Sequence, residues 1–324
     1  MDFVWPTPNT AFVEGEGLSA MIQPTASGEL MSGTFGAVRN GGTRFHEGLD
    51  LKPVMKRTRK GEATDPIYAA FSGQVVHVSS VAGRSSYGRY VVLLHNSDGV
   101  EFYTLYAHLA SVEGALRKGQ QVDAGTVIGV MGRSAAGYSI PKDRAHLHFE
   151  IGLVLGGSFQ PWYDRQKYTT PNYHGNYNGM NLSGFDPLDF ANAYREGRAA
   201  SMAQYIRSLP TAYVLRVNAE GVPAIVKHSP ALLTAPIPEE GAAAWDISFT
   251  WYGLPTTFTP LRKADVGAMD KPGVIRIRAI NRDIVASNRA RNTVRIKNGK
   301  PSLYKDQSNW LEMMFGRKLG SSGK

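Results

Sequence analysis

Between Phe35 and Ile151 apolar and polar residues alternate in short runs broken by glycine-rich turns, which is the period of strands rather than of helices. The clearest runs are IYAAFSGQVVHVSS, RYVVLLH, EFYTLYAHL, GTVIGVMG and AHLHFEI. RYVVLLH and VEFYTLYAHL, joined by NSDG, predict a β-hairpin with a four-residue polar loop, and the set as a whole predicts an antiparallel-sheet core. Residues 152–184, rich in Gly, Asn, Pro and aromatics, keep neither period and read as an aromatic loop insertion. DPLDFANAYREGRAASMAQYIRSL follows, a helical connector in which Asp186 or Asp189 caps a helix running toward Ser208. After Pro210 a second strand series begins, with AYVLRV, VPAIVKH, WDISFTWYG, GVIRIRAI and NTVRIKNG. The pattern therefore predicts a mostly β protein. It has a first domain over 1–190 with its core at 35–151, a helical connector over 191–210, and a second β-rich domain over 211–324.

Composition narrows the class. With 324 residues, 42% hydrophobic and 19% charged, the chain is that of a globular protein and not a disordered one. There are no cysteines, so a disulfide framework and a thiolate metal site are both excluded, and any metal must be held by histidine and carboxylate. No run approaches the roughly 18 apolar residues of a membrane span. The start MDFVWPTPNT lacks the basic and apolar regions of an export signal, so either the protein is cytoplasmic or the signal has been removed. The net charge of +9 sits in the last third, where Thr211 to Lys324 carry 17 Lys+Arg against 9 Asp+Glu.

Two short stretches carry chemistry. In AHLHFEI, strand alternation puts His146, His148 and Glu150 on one face and Leu147, Phe149 and Ile151 on the other, so two imidazoles project side by side. In FHEGLD, His46 and Asp50 lie four apart around Gly48. A catalytic zinc takes three protein ligands from histidine and carboxylate and keeps one position open; His46, Asp50 and one histidine of the later pair would supply that set. Each stretch alone is a weak signal, because a strand histidine is more often a hydrogen-bonded structural residue and a His and an Asp four apart occur by chance. His77, His95, His174 and His228 take the structural reading, with His95 expected in solvent. His174 carries one further option, a loop ligand that would make the protein latent. Glu150, on the histidine face, could orient a ligand from behind, although a surface or strand-end place is the commoner one for such an acid, and Arg39 is expected either in an ion pair or on substrate.

Taken together, HEGLD, YTLYAHLA and HLHFEI, in that order, resemble the lysostaphin-type (LytM-like) zinc metallopeptidases of bacterial cell walls. FGAVR, PIYAAFSGQVV, YGRYVVLLH and KGQQVDAGTVIGVMG fit the same pattern, and FDPLDF resembles the segment that closes such domains. The resemblance implies that His46, Asp50 and His148 bind zinc while His108 and His146 are the two unliganded active-site histidines. It further implies an endopeptidase that hydrolyses peptidoglycan, in stem peptide or cross-bridge, by metal-activated water, in the periplasm or outside the cell after loss of an export signal. Alternation along EFYTLYAHL puts Phe102, Thr104, Tyr106 and His108 on one side, from which His108 would complete the site. The rival class is a latent or non-catalytic wall-binding or regulatory protein on the same fold, which predicts missing ligands; a metal-dependent amidase or esterase is a third reading.

Two departures bear on specificity. LKPVMKRTRKGEATDPIYAA carries an extra basic loop, and GRSAAGYSIPKDRAHLHFE lengthens the approach to the histidine pair. Together with the aromatic 152–184 insertion both would wall the groove, so no glycyl-glycine preference is carried over. The last domain carries no motif from which a family resemblance is read. Its Arg276 and Arg278, and its Arg295 and Lys297, pair on strand faces, either as a solvated surface or as a basic one that binds an anionic cell-wall polymer. Nucleic acid would meet the same charges but suits a zinc peptidase domain poorly.

Overall fold

The computed structural model describes residues 1–55, 61–266 and 271–320, and the chain folds into two compact units. The first comprises Met1–Asn96, Phe102–Gly152 and Gly184–Arg195; the second comprises Ser97–Glu101, Leu153–Ser183 and Glu196–Lys324. Part of the extra basic loop expected after the first motif, at 56–60, lies outside the described residues. Among the described residues no helix is long and apolar enough to cross a membrane.

Up to Phe185 the chain forms strands β1 (Gly36–Arg39), β2 (Arg44–His46), β3 (Leu49–Leu51), β4 (Pro66–Tyr68), β5 (Gly73–Ser79), β6 (Arg89–Ser97), β7 (Val100–Leu109), β8 (Ser111–Val112), β9 (Gln121–Val122), β10 (Val127–Val130), β11 (Leu147–Val154) and β12 (Leu182–Phe185), most of whose residues belong to the first unit. The main sheet runs β12-β11-β7-β6-β5-β9, with β3 also paired to β11; β4-β10-β8 form a smaller sheet and β1-β2 a separate ribbon. From Phe102 to Leu109 every residue of β7 is buried, so this strand is covered on both faces and shows a nearly continuous apolar run. Tyr106 ties it to the neighbouring layer, its hydroxyl accepting from the Ala70 amide at 2.7 Å. The turn between β6 and β7 is tighter than NSDG suggests. Asn96 and Ser97 extend β6, leaving only Asp98 and Gly99 between the strands, at φ 49° and 81°. Two left-handed residues are what a twist-matched two-residue turn demands, and Asp-Gly supplies them.

In the second unit β13 (Tyr213–Val217), β14 (Ala244–Phe249), β15 (Pro255–Leu261) and β16 (Ile275–Ile280) form an antiparallel sheet in the order β15-β14-β13-β16, beside a ribbon of β17 (Val294–Lys297) and β18 (Lys300–Leu303). The fold is mostly antiparallel β, as the patterning predicts. VPAIVKH is a correction: Ala224–His228 is a short helix, entered through Pro223, which has no amide hydrogen to lose at a helix start. Residues 152–184 are also more ordered than a loop, with a helix at Gln160–Gln166. Asn181 replaces the missing ladder there: its side chain accepts from the Gly156 amide at 2.8 Å and donates to the carbonyls of Gly156 and Asn176 at 2.9 Å. The connector holds two helices, Pro187–Arg195 and Met202–Ser208. Asp186 caps the first by accepting from Leu188, and Ser201 caps the second by accepting from Gln204.

His95, expected in solvent, is buried in the first unit at 4% exposure, bridging the Ser72 carbonyl at 3.0 Å and the Thr104 hydroxyl at 2.7 Å. Burial pushes its pKa down to about 4. Between pH 6.5 and that value the unfolded chain binds a proton that the folded chain refuses, so stability is full above 6.5 and declines as the pH falls toward 4. The loss amounts to roughly 3 kcal/mol. Urea unfolding at pH 7.5 and 4.5 should show this decline in the wild type and a flatter profile in His95→Gln; equal slopes would rule His95 out as its source.

Candidate metal centre

Strand register brings the first two donors together. β3 and β11 pair antiparallel with Asp50 directly opposite His148, and both side chains fall on one face. Gly48 sets how closely the chain leading into β3 lies against β11: a Cβ there would sit 2.4 Å from the Phe149 carbonyl oxygen and 3.0 Å from the His148 ring. The glycine of HEGLD is thus required by a close backbone approach. His46, at the end of β2, enters from the ribbon.

Three atoms converge: His46 Nε2, Asp50 Oδ1 and His148 Nδ1 lie 3.0 to 3.1 Å from one another. A tetrahedral zinc with nitrogen and oxygen ligands at about 2.0–2.2 Å sets its ligand atoms roughly 3.3–3.5 Å apart, so this triangle is within a few tenths of an ångström of fitting. It is the one cluster of this kind among the described residues.

The opposite atom of each donor is anchored. His46 Nδ1 faces the Thr34 carbonyl at 2.7 Å; a carbonyl only accepts, so Nδ1 carries the hydrogen and Nε2 presents a lone pair. His148 Nε2 lies 2.9 Å from Glu150 Oε1, and Asp50 Oδ2 takes Arg39 at 2.5 Å. Arg39 therefore makes the ion pair, and its Nε donates to the Ser32 carbonyl. Lone pairs and a carboxylate facing one another at this distance need a positive charge among them, from a proton or a metal cation. Burial opposes a charge on His148, but hydrogen bonds to Asp50 and Glu150 outweigh burial and hold its pKa up at about 9. Burial likewise pushes the Asp50 carboxyl upward, yet the imidazoles gathered around it, His46, His146 and His148, keep it well below the usual carboxylate range.

Glu150 takes the less favoured of its two sequence readings, behind a donor and not at the surface. It is 1% exposed, accepts from the hydroxyls of Tyr87 at 2.6 Å and Tyr103 at 2.7 Å, and holds the His148 ring. Its burial would raise its pKa, but His148 and the two hydroxyls keep it ionised.

The remaining two histidines flank the triangle. His146 Nε2 lies 3.6 Å from Asp50 Oδ1, and the His108 ring centroid is 4.9 Å from that of His146 and 5.9 Å from that of His148. Each gives its Nδ1 hydrogen to a carbonyl at 2.8 Å, Ser134 for His108 and Arg144 for His146, which leaves Nε2 free to accept. Burial lowers both pKa values, that of His108 strongly with help from the neighbouring imidazoles. His108 reaches this face by a route that alternation does not predict. Register pairs Ala107 with His148 and Tyr106 with Phe149, so an unbroken strand would point His108 away; its backbone is left-handed, at φ 60°, and that turns the ring back. The cleft over the cluster holds about 320 Å³ and is lined by Arg39, Arg44, Tyr87, Tyr138 and Arg144 besides the cluster itself. His77 instead packs against Tyr90, and His228 lies 3.6 Å from Glu101 in the second unit.

Glu150→Gln removes the charge behind His148 while keeping shape. Zinc titration calorimetry should show affinity reduced about 10- to 100-fold with the far-UV spectrum unchanged. Unaltered affinity would mean that Glu150 serves the fold alone.

Comparison with known proteins adds to this geometry. Among solved structures the chain is similar to a zinc-containing peptidase from Vibrio cholerae, with 30% identity over 33% of this chain and 26% of that one, at a TM-score of 0.24. It is also similar to the catalytic domain of the antimicrobial peptidase lysostaphin from Staphylococcus simulans, with 24% identity over 49% of this chain and 87% of that one, at a TM-score of 0.30. A putative glycyl-glycine endopeptidase LytM from Ruminococcus gnavus shares 22% identity over 45% of this chain and 51% of that one, at a TM-score of 0.28. The chain thus spans about a quarter of the Vibrio cholerae peptidase. A comparison with curated proteins gives no match. Residues 44–161, which hold His46, Asp50, His108, His146 and His148, match peptidase family M23, and the lysostaphin-type resemblance carried by the three motifs is borne out.

Proposed function

We propose that the protein is a zinc-dependent endopeptidase that hydrolyses peptide bonds of bacterial peptidoglycan, acting outside the cytoplasmic membrane. The observation that carries the reading is the triangle of His46, Asp50 and His148 donors, each anchored from behind, with two further imidazoles offering a free Nε2 to the same cleft. His46 Nε2, His148 Nδ1 and Asp50 Oδ1 would hold the zinc. When bound, zinc polarises the scissile carbonyl and lowers the pKa of water toward neutrality. His108 and His146, neutral near pH 7 and fixed as Nδ1–H tautomers, are set to accept a proton at Nε2. Once protonated there, either becomes a donor to the developing oxyanion or the leaving amine. A latent or purely regulatory protein needs none of these five residues in register, and a metal-dependent amidase is separated by the mass of the bond cut.

Attachment to an anionic wall polymer rests on charge alone, on the exposed Arg276 and Arg278 of β16 and Lys297 of β17. Arg295 is less available, its Nε donating to the Arg291 carbonyl and its guanidinium lying 5.6 Å from the Tyr304 ring. Replacing Arg276, Arg278 and Lys297 by Ser should weaken cosedimentation with cell walls at low salt, and unchanged sedimentation would remove this role.

The test of the activity is incubation with isolated peptidoglycan, with and without a zinc chelator, beside His146→Ala. New amino termini found by mass spectrometry should appear with zinc only, and the variant should release them roughly 10²- to 10⁴-fold more slowly. Absence of fragments from protein with stoichiometric zinc would overturn the peptidase reading.

A further inference from the structure

Two arginines of the cleft stand outside the metal cluster. Arg44 lies on β2 two residues before His46, and Arg144 ends a turn two residues before His146, whose ring donates to the Arg144 carbonyl. Two residues along a strand return to the same face about 7 Å away, so Arg44 shares the face of His46 while the buried Phe45 points to the other. Both arginines line the cleft, Arg44 exposed and Arg144 half-buried.

Among the described residues neither guanidinium has a carboxylate partner, whereas Arg39 is committed to Asp50 and the Ser32 carbonyl. Arg39 and Arg44 face each other directly across the β1–β2 ribbon, an arrangement of like charges that destabilises a strand pair. Asp50 answers the first of them only. Glu47, the other acid lining the cleft, leaves a guanidinium in excess even before a metal cation is counted. An open cleft with surplus planar, fork-shaped cations beside its reactive imidazoles is complementary to a carboxylate.

We propose that Arg44 and Arg144 bind a free carboxylate of the substrate peptide, held within about two residues of the bond that faces His108 and His146. This subsite rests on the peptidase reading above and narrows it to peptides that carry an unblocked acid near the cleaved bond. A chain-terminal carboxylate and an acidic side chain offer the same pair of acceptor oxygens. A neutral segment would leave both guanidiniums unpaired, and selection then comes from that loss.

The test is calorimetric binding to the full-length zinc-loaded protein of three probes: N-acetyl-triglycine as the free acid, the same peptide as its amide, and N-acetyl-Gly-Glu-Gly amide. At least one acid should bind about tenfold or more tightly than the neutral amide. The preference should vanish in Arg44→Gln/Arg144→Gln and return in part in Arg44→Lys/Arg144→Lys, with zinc stoichiometry verifying that each variant is folded. Preference for the free acid assigns the terminal carboxylate, and preference for the glutamyl probe assigns the side chain. Equal binding of all three probes overturns the subsite, as does a preference that survives in the double glutamine variant, which would place the carboxylate on the metal. Fragment release from peptidoglycan is scored separately. A preference without fragments keeps the carboxylate subsite and removes the peptidase reading, whereas fragments without a preference do the reverse.

Discussion

The Asp50 carboxylate is 3% exposed and meets three imidazoles and one guanidinium. An ionised carboxylate this deep costs several kcal/mol unless each oxygen is paired, so the surrounding elements answer to it. β3–β11 pairing supplies His148, the β1–β2 ribbon supplies both His46 and Arg39, and the turn before β11 supplies His146. Each element is short and weak alone. Their common dependence on one buried charge makes the cluster a single structural unit as well as a chemical one.

A second buried carboxylate repeats the arrangement one layer out. Glu150 lies two residues beyond His148 on the same face, and its three hydrogen bonds come from His148, Tyr87 and Tyr103. His148 is thereby held between two acids, with Nδ1 toward Asp50 and Nε2 toward Glu150. This fixes the orientation of the ring, with Nδ1 turned toward His46 and Asp50. The aromatic hydroxyls prevent Glu150 from drawing the proton away completely, because they share its negative charge.

Much of the cluster was legible in the sequence, because H-x-x-x-D and H-x-H carry spacing that strand geometry converts directly into proximity. What was not legible came from distant partners and from backbone exceptions. Glu150 reads as an ordinary strand-end acid because Tyr87 and Tyr103, which make its burial tolerable, lie 63 and 47 residues away. His108 was placed at the site by alternation, yet alternation points it to the Phe149 face. Only its left-handed backbone, which costs about 1 kcal/mol, brings it round. The amide of His108 bonds to the Tyr87 carbonyl, and its ring bonds to that of Ser134, so the conformation is imposed from outside the strand. In VPAIVKH the β-branched residues suggested a strand, but one proline and a buried Ile225–Val226 pair favour a single helical turn instead. Strand existence was thus easier to read than the conformation of single residues at strand ends.

The contact at Gly48 has a wider consequence. Because a backbone-to-backbone approach fixes how far HEGLD lies from β11, the main chain helps to set the size of the His46, Asp50 and His148 triangle. The distance between Asp50 and His148 therefore depends on peptide spacing as well as on side-chain rotamers, and a side chain at position 48 would widen it.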